Sequence, residues 1–251
     1  MGGRIGFDFS GQRVLVTGAS SGIGLGIARA FHAAGATLTV LADNPAIHDT
    51  ALPGARAIQC DISDAEAVNA ALADTGPLDV LVNNAGLERP TPLIPGRDET
   101  FERILAVNVT GTRNVTGALR DRLSEGASVI LTASIWARTA VPEFAAYVAS
   151  KHATLGLTRT WAHELGPRGI RVNAVCPGWV RTGPAINSLR EMARTSNRSE
   201  AEVAEELSAA QVLPGLMDPD DIAGLYLFLA SDGAANITGQ AITIDRGEVM
   251  A

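Results

Sequence analysis

The chain of 251 residues reads as an α/β protein, a single domain built on a doubly wound, seven-stranded parallel sheet. Three observations predict this. Seven short apolar runs, mostly rich in β-branched residues, recur along the chain; stretches with helical spacing fill the intervals; and the runs are near-continuously apolar rather than alternating. A strand of the last kind needs helices on both faces of its sheet. Apolar residues make up 46% of the chain and charged residues 19%, the balance of a compact protein rather than a disordered one. No linker, low-complexity segment or internal repeat suggests a second domain.

Val14-Leu15-Val16 is the first strand, and Ile23 to Ala34 the first helix. Leu38 to Leu41 and Ala57 to Cys60 are the second and third strands, the latter followed by a helix over Ala65 to Leu72 that Asp64 is placed to cap. After the fourth strand, Val80-Leu81-Val82, apolar spacing from Phe101 to Leu123 predicts one long helix leading into Val129-Ile130-Leu131. Ala145 to Leu165 is the next helix and Val172 to Val175 the sixth strand. Asp221 to Leu229 and Ile242-Thr243-Ile244 close the series. From Thr182 to about Leu213 the rhythm is broken by a polar, charged insertion that includes Arg190, Glu191, Arg194, Arg198, Glu200, Glu202, Glu205 and Glu206. It suits a mobile helical lid over a site, or an exposed helical pair with no such role.

Net charge is −7 with no basic block, so nothing points to nucleic acid or an anionic membrane as partner. The first residues hold no apolar core of signal-peptide length, which makes a cytoplasmic location the expectation. Cys60 and Cys176 end separate strand runs and read as buried free thiols. His32, His48, His152 and His163 form no ligand cluster, so no metal site is expected.

Directly after the first strand comes Thr17-Gly18-Ala19-Ser20-Ser21-Gly22-Ile23-Gly24, and a helix begins at once. Glycines at such a turn let a pyrophosphate approach the backbone, where the N–H groups of the helix start stabilise it. An acid, Asp43, ends the second strand about twenty residues on, as a dinucleotide site requires. It can accept hydrogen bonds from the ribose hydroxyls and repel a 2′-phosphate, which favours NAD over NADP; a solvated loop residue or a cap ahead of Pro45 is the alternative. Asp61 and Ile62 stand where an adenine would be met, and Asn83-Asn84-Ala85-Gly86 ends the fourth strand with small groups suited to close ligand approach.

Tyr147 and Lys151 lie four residues apart, on one face of a helix, with Ser134 upstream at the end of an apolar run. A free phenol with a pKa of about 10 is a poor acid or base at neutral pH. A fixed cation nearby would pull it toward the useful range.

Together these motifs resemble the short-chain dehydrogenase/reductase family, from Gly11 to Gly247. The match comprises TGASSGIG, NNAG, Asn108, Ser134, Tyr147 with Lys151, and Pro177-Gly178 followed by Thr182. The resemblance implies a Rossmann fold, a homotetramer, and catalysis by Asn108, Ser134, Tyr147 and Lys151. Tyr147 would be the general acid or base, Ser134 would polarise the substrate oxygen, and Lys151 would tune the phenol and bind the nicotinamide ribose. Asn108 would position a water linking Lys151 to solvent. Pro177, Gly178, Val180 and Thr182 would border the nicotinamide carboxamide. One departure is Asp245-Arg246-Gly247, where the family commonly has two glycines after the aspartate; it puts the C-terminal turn in doubt.

Glu88, Trp136, Arg138 and Trp179 flank these motifs and are the candidate substrate contacts. Glu88 can accept hydrogen bonds from substrate hydroxyls; Arg138 can bind a carboxylate or pair with Glu143. Two indoles and an acid suit a small polyhydroxylated or cyclic secondary alcohol better than an acyl thioester. The expectation is an NAD-dependent oxidoreductase interconverting a secondary alcohol and a ketone. The alternatives are an NADP-dependent carbonyl reductase and a dinucleotide-binding regulator without catalysis, against which the complete Asn108, Ser134, Tyr147 and Lys151 set argues.

Overall fold

The computed structural model describes residues 6–50 and 52–250. Strands β1 (Arg13–Thr17), β2 (Thr37–Ala42), β3 (Arg56–Gln59), β4 (Leu78–Asn83), β5 (Leu123–Thr132), β6 (Arg171–Pro177) and β7 (Ala241–Ile244) form one sheet. All its pairs are parallel, in the order β3-β2-β1-β4-β5-β6-β7. The order reverses between β1 and β4, and the crevice outside the strand ends at such a switch point is where doubly wound sheets bind ligands.

The continuous apolar runs have the structural reason expected of them. Val14, Val16, Val80, Val82 and Ile130 face a core with Ile27 and Phe31 of helix α1 (Gly22–Ala33) and Ile222 and Tyr226 of a late helix, Pro219–Ala230. Their neighbours Leu15, Leu81, Val129 and Leu131 face the opposite core. There they meet Val68 of helix α2 (Ala65–Ala71), Val115 and Leu119 near the middle of the chain, and Leu155 of the long helix Ala145–Leu165. Successive strand residues point to opposite faces, so a strand buried on both must be apolar at every position. Each fully buried aliphatic side chain contributes about 1.5–3 kcal/mol. Asp64 caps α2 by accepting from the amides of Glu66 and Ala67. Cys60 and Cys176 are buried free thiols.

The helix predicted from Phe101 to Leu123 is broken up. Helix α3 (Glu99–Leu105) passes into a π-helical turn, Ala106–Gly111, then α4 (Thr112–Leu119) and a 3-10 turn, Arg120–Arg122; β5 already begins at Leu123. Leu119 and Leu123 keep helical spacing and are both buried, so apolar pattern misses the boundary. It is pairing that decides it: Leu123 opposes Leu78, and after an irregularity Ser128 opposes Val80. Helix α5 (Ala145–Leu165) matches expectation.

The insertion is a helical pair, α6 (Gly183–Thr195) and α7 (Glu200–Ala209), joined through Leu189, Ala193 and Val203. Its base is pinned by a parallel bridge between Val180 and Met217, just before helix α8 (Pro219–Ala230). The C-terminal turn forms despite its missing glycine. Arg246 takes a left-handed φ of 59°, its carbonyl accepts from the Leu213 amide at 3.0 Å, and its guanidinium donates to the Pro214 carbonyl at 3.1 Å. The segment after β7 therefore braces the far end of the insertion.

Candidate active site

Every loop at the C-terminal edge of the sheet from β1 to β6 contributes to one cavity of about 330 Å³. The turn after β1 supplies Gly18, Ser20, Ser21, Gly22, Ile23 and Gly24. Gly18 has a φ of 67°, and a Cβ there would lie 2.7 Å from the Ala85 Cα, so both its conformation and the approach of the next loop require glycine. The two loops are sewn together by Thr17, whose hydroxyl accepts from the amides of Asn84 and Ala85 at 3.0 Å each. The Asn84 amide group donates to the Thr17 and Gly18 carbonyls at 3.1 and 3.3 Å. Asn84, Ala85 and Gly86 line the cavity beside them.

At the β2 end, Asp43 lines the cavity and is exposed. Asn44 donates to the Ser20 hydroxyl at 3.0 Å, tying this corner to the glycine turn. At the β3 end, Asp61 and Ile62 are also lining residues. The Asp61 carboxylate is engaged by Arg103 at 2.7 Å and by Ser63, and these partners hold its pKa below the ordinary carboxylate range against the opposing effect of burial, the largest single influence. Arg103, on α3, lines the cavity too and was not anticipated; nothing in its local sequence marks it, because its partner lies forty-two residues away.

The other end of the cavity collects Ser134, Tyr147, Lys151, Trp136, Trp179 and Glu88, with Pro177, Gly178, Val180 and Thr182 along the side. Ser134 lies two residues past β5 and caps a 3-10 turn, Ile135–Ala137, by accepting from the Trp136 amide at 3.2 Å. Tyr147 and Lys151 share a face of α5, with the ammonium 5.4 Å from the phenol ring centre. Lys151 donates to the Thr132 carbonyl at 2.8 Å; Thr132 in turn meets the Tyr226 hydroxyl at 2.9 Å. Trp136 packs edge-on against both Tyr147 and Trp179, with ring centres 5.8 Å apart in each case. The indoles thus form one wall, to which Val249 from the C-terminal segment adds.

Burial lowers Lys151 from 10.5 to about 8, opposed by the negative charge of Glu88 and by Cys176. Burial raises the Tyr147 phenol well above its ordinary value; Glu88 adds to this, the Ser134 hydroxyl opposes it, and Tyr226 adds slightly. The expected lowering of the phenol by Lys151 does not appear: desolvation disfavours the phenolate, and the Glu88 carboxylate acts with it. Burial likewise raises Glu88, against the hydrogen bond from Ser188 and the charge of Lys151.

Two candidates sit differently from expectation. Asn108 lies in the π-helical turn, and its side chain is committed: it donates to the Leu87 carbonyl and the Ser150 hydroxyl at 2.9 Å each and accepts from the Leu87 amide at 2.7 Å. It fixes the backbone just past NNAG. Such turns recur at functional sites because they re-aim side chains that a regular helix would misplace. Arg138 neither enters the cavity nor pairs with Glu143. It is exposed and donates to the Ala241 carbonyl on β7 at 2.6 Å, since the 3-10 turn after Ser134 carries it to the outer side of the sheet edge.

Comparisons with known proteins agree with this geometry. A family model described as enoyl-(acyl carrier protein) reductase matches residues 18–248. The chain is 38% identical to oxidoreductase UcpA of Salmonella typhimurium, covering 96% of this chain and 95% of that one. It is 36% identical to galactitol 2-dehydrogenase (L-tagatose-forming) of Cereibacter sphaeroides, covering 96% of each. Carbonyl reductase [NADPH] 2 of Sus scrofa is 34% identical over 96% of this chain and 97% of its own. A solved short chain dehydrogenase family protein from Francisella tularensis superposes with a TM-score of 0.87 at 27% identity, covering 94% of this chain and 98% of the other. With that fold and those relatives, the chain belongs to the short-chain dehydrogenase/reductase family and is an oxidoreductase.

Proposed function

We propose that this chain interconverts a small polar secondary alcohol and its ketone with NAD, the substrate being a sugar, a polyol or a cyclic hydroxy compound. The observation that supports this reading is a single cavity with a glycine turn and an acid at one end and Ser134, Tyr147 and Lys151 at the other. A nicotinamide cofactor, when bound, supplies the hydride acceptor or donor and, in its oxidised form, a positive charge near the phenol. The close approach of backbones at Gly18 and the first-turn amides of α1 fit a pyrophosphate.

In the reductive direction Tyr147, held protonated by its surroundings, gives its proton to the substrate oxygen. Ser134 donates a hydrogen bond to that oxygen as charge develops on it, which is worth most in a dry site with preorganised donors. Lys151 stabilises the phenolate left behind and holds a ribose hydroxyl. Oxidation runs through the same groups in reverse. Asn108 keeps Gly86 and Leu87 in place beside Lys151, and a water held there would carry protons to solvent. Pro177, Gly178, Val180 and Thr182 border the carboxamide; Asp61 and Ile62 border the adenine. Trp136 and Trp179 shape the substrate wall. Helices α6 and α7 act as the lid.

The preference for NAD rests on Asp43, with the neutral Asn44 and Pro45 after it; the relative named for NADPH supports the competing assignment to an NADP-dependent carbonyl reductase. A homotetramer in the cytoplasm completes the reading. Open space at Gly117 on α4 and Gly156 on α5 suits close helix packing between copies, and light scattering on the purified protein tests it. Initial rates with NAD and NADP on sugars, polyols, hydroxy acids and steroids test the chemistry. Activity confined to steroids or acyl thioesters would sink the substrate class. Tyr147→Phe should lower kcat by roughly 10²–10⁴, the range of general acid–base catalysis, while NADH still binds; full retained activity would refute the mechanism.

A further inference from the structure

Among the described residues, Glu88 is the one acid lining the cavity beside Ser134, Tyr147 and Lys151, and its two oxygens are placed unequally. The Ser188 hydroxyl, buried on α6, donates to Oε1 at 2.6 Å. Oε2 receives no hydrogen bond from the described residues, and Glu88 lines the cavity. The insertion carrying Ser188 is pinned at its base by the Val180–Met217 bridge. Its contact with Glu88 reaches back across one hundred residues of sequence to the loop after β4.

We infer that Glu88 is a specificity-determining residue with two duties: Oε1 holds the lid shut through Ser188, and Oε2 accepts a second hydroxyl of the substrate, one on a carbon next to the reacting carbon. The preferred substrate class is then a 1,2-diol or polyol in oxidation and an α-hydroxy ketone in reduction. This rests on the dehydrogenase reading above. Glu88 lines the same end of the cavity as Ser134, Tyr147 and Lys151, and Gly86, two residues before it, lies so near the ammonium that a Cβ there would stand 3.6 Å from the Lys151 Nζ; the hydroxyl that Glu88 meets is therefore one close to the reacting carbon. A carboxylate oxygen in a partly dry site needs a donor. A substrate hydroxyl provides one; a simple alcohol leaves the oxygen without one, and a site built for a hydroxyl discriminates strongly against an analogue lacking it. Because the same carboxylate holds Ser188, the substrate hydroxyl and the lid meet on one group.

The test compares kcat/KM for cis-1,2-cyclohexanediol and cyclohexanol in the wild type, Glu88→Gln and Ser188→Ala. Glutamine can still accept from Ser188 through its carbonyl, but it turns an NH₂ toward the cavity, which cannot accept. The wild type should prefer the diol at least tenfold, and Glu88→Gln should erase that ratio. No diol preference in the wild type, or an equal loss on both alcohols in Glu88→Gln, overturns the inference and leaves the dehydrogenase reading standing. Ser188→Ala should raise KM for both alcohols by a similar factor and speed tryptic cleavage of the lid at Arg190, Arg194 and Arg198; unchanged cleavage overturns the lid contact. If neither alcohol is oxidised, the dehydrogenase reading of substrate is at fault, and proteolysis with NADH present decides the inference. The diol should slow lid cleavage at least threefold more than cyclohexanol does, and only with Glu88 intact; equal protection overturns it.

Discussion

Replacing Lys151 by methionine should make the protein more stable at neutral pH relative to its stability at alkaline pH, while abolishing turnover. The ammonium is buried, and its pKa falls from 10.5 to about 8. At 1.36 kcal/mol for each tenfold change in the protonation equilibrium, that depression corresponds to about 3 kcal/mol. The sign follows from proton binding. Between pH 8 and 10.5 the unfolded chain holds the proton on Lys151 and the folded protein does not, so wild-type stability rises with pH across that window. The cost of the buried charge is fully present below pH 8 and gone above about 10.5. Glu88, Tyr147 and Cys176 face the ammonium and remain in the variant. The lost hydrogen bond to Thr132 changes stability at every pH alike, by about 1 kcal/mol. Urea unfolding of both proteins at pH 7.5, 9 and 10.5 isolates the ionisation. The wild type should gain about 3 kcal/mol on methionine between the ends of the series. A flat difference, or one of opposite slope, would refute the assignment of a desolvated ammonium at this position.

Asp43→Ser should raise the ratio of kcat/KM for NADP over NAD by roughly ten- to a hundredfold, the span of one removed repulsion of about 1.4–2.8 kcal/mol; an unchanged ratio would show that Asp43 does not read the ribose. Phe31→Ala, which deletes a fully buried ring packed edge-on against Phe9 at 4.9 Å, should cost about 3–5 kcal/mol and lower the melting temperature on the order of 10 °C. A loss under 1 kcal/mol would mean that the α1 face is looser than its packing. Arg246→Gly relieves a left-handed residue but gives up the contact with Pro214; the relief of about 1–2 kcal/mol should slightly exceed the lost bond. Thermal unfolding that finds the glycine variant less stable would show that the arginine contact is the larger effect.

The parts of the molecule visible in the sequence are those whose cause is local. Val14-Leu15-Val16 is apolar at each position because both of its faces are covered, and the glycine turn after it is dictated by a backbone approach that tolerates no Cβ. Tyr147 and Lys151 meet because a helix brings positions four apart onto one side. The features the sequence does not show depend on partners distant in the chain. Leu123 belongs to a strand because Leu78 is there to pair with it. Arg103 reaches the cavity through Asp61, and Ser188 through Glu88. The π-helical turn at Asn108 is defined by its backbone hydrogen bonding, which apolar spacing alone does not reveal. Arg138 is close to Ser134 in sequence but is carried away from the cavity, because three residues of 3-10 turn separate the two.

The aromatic wall has a practical corollary at the carboxyl end. Val249 packs with the cluster of Trp136, Trp179 and Tyr147, and its amide is held by Asp245 at 2.7 Å. Extra chain joined directly after Val249 would pull on the wall of the cavity, whereas extra chain joined directly before Phe7 would meet the protein where Phe9 anchors beside Phe31, toward the far end of α1. Proteins carrying the same short extension at one of these two points should therefore differ in KM and not in melting temperature.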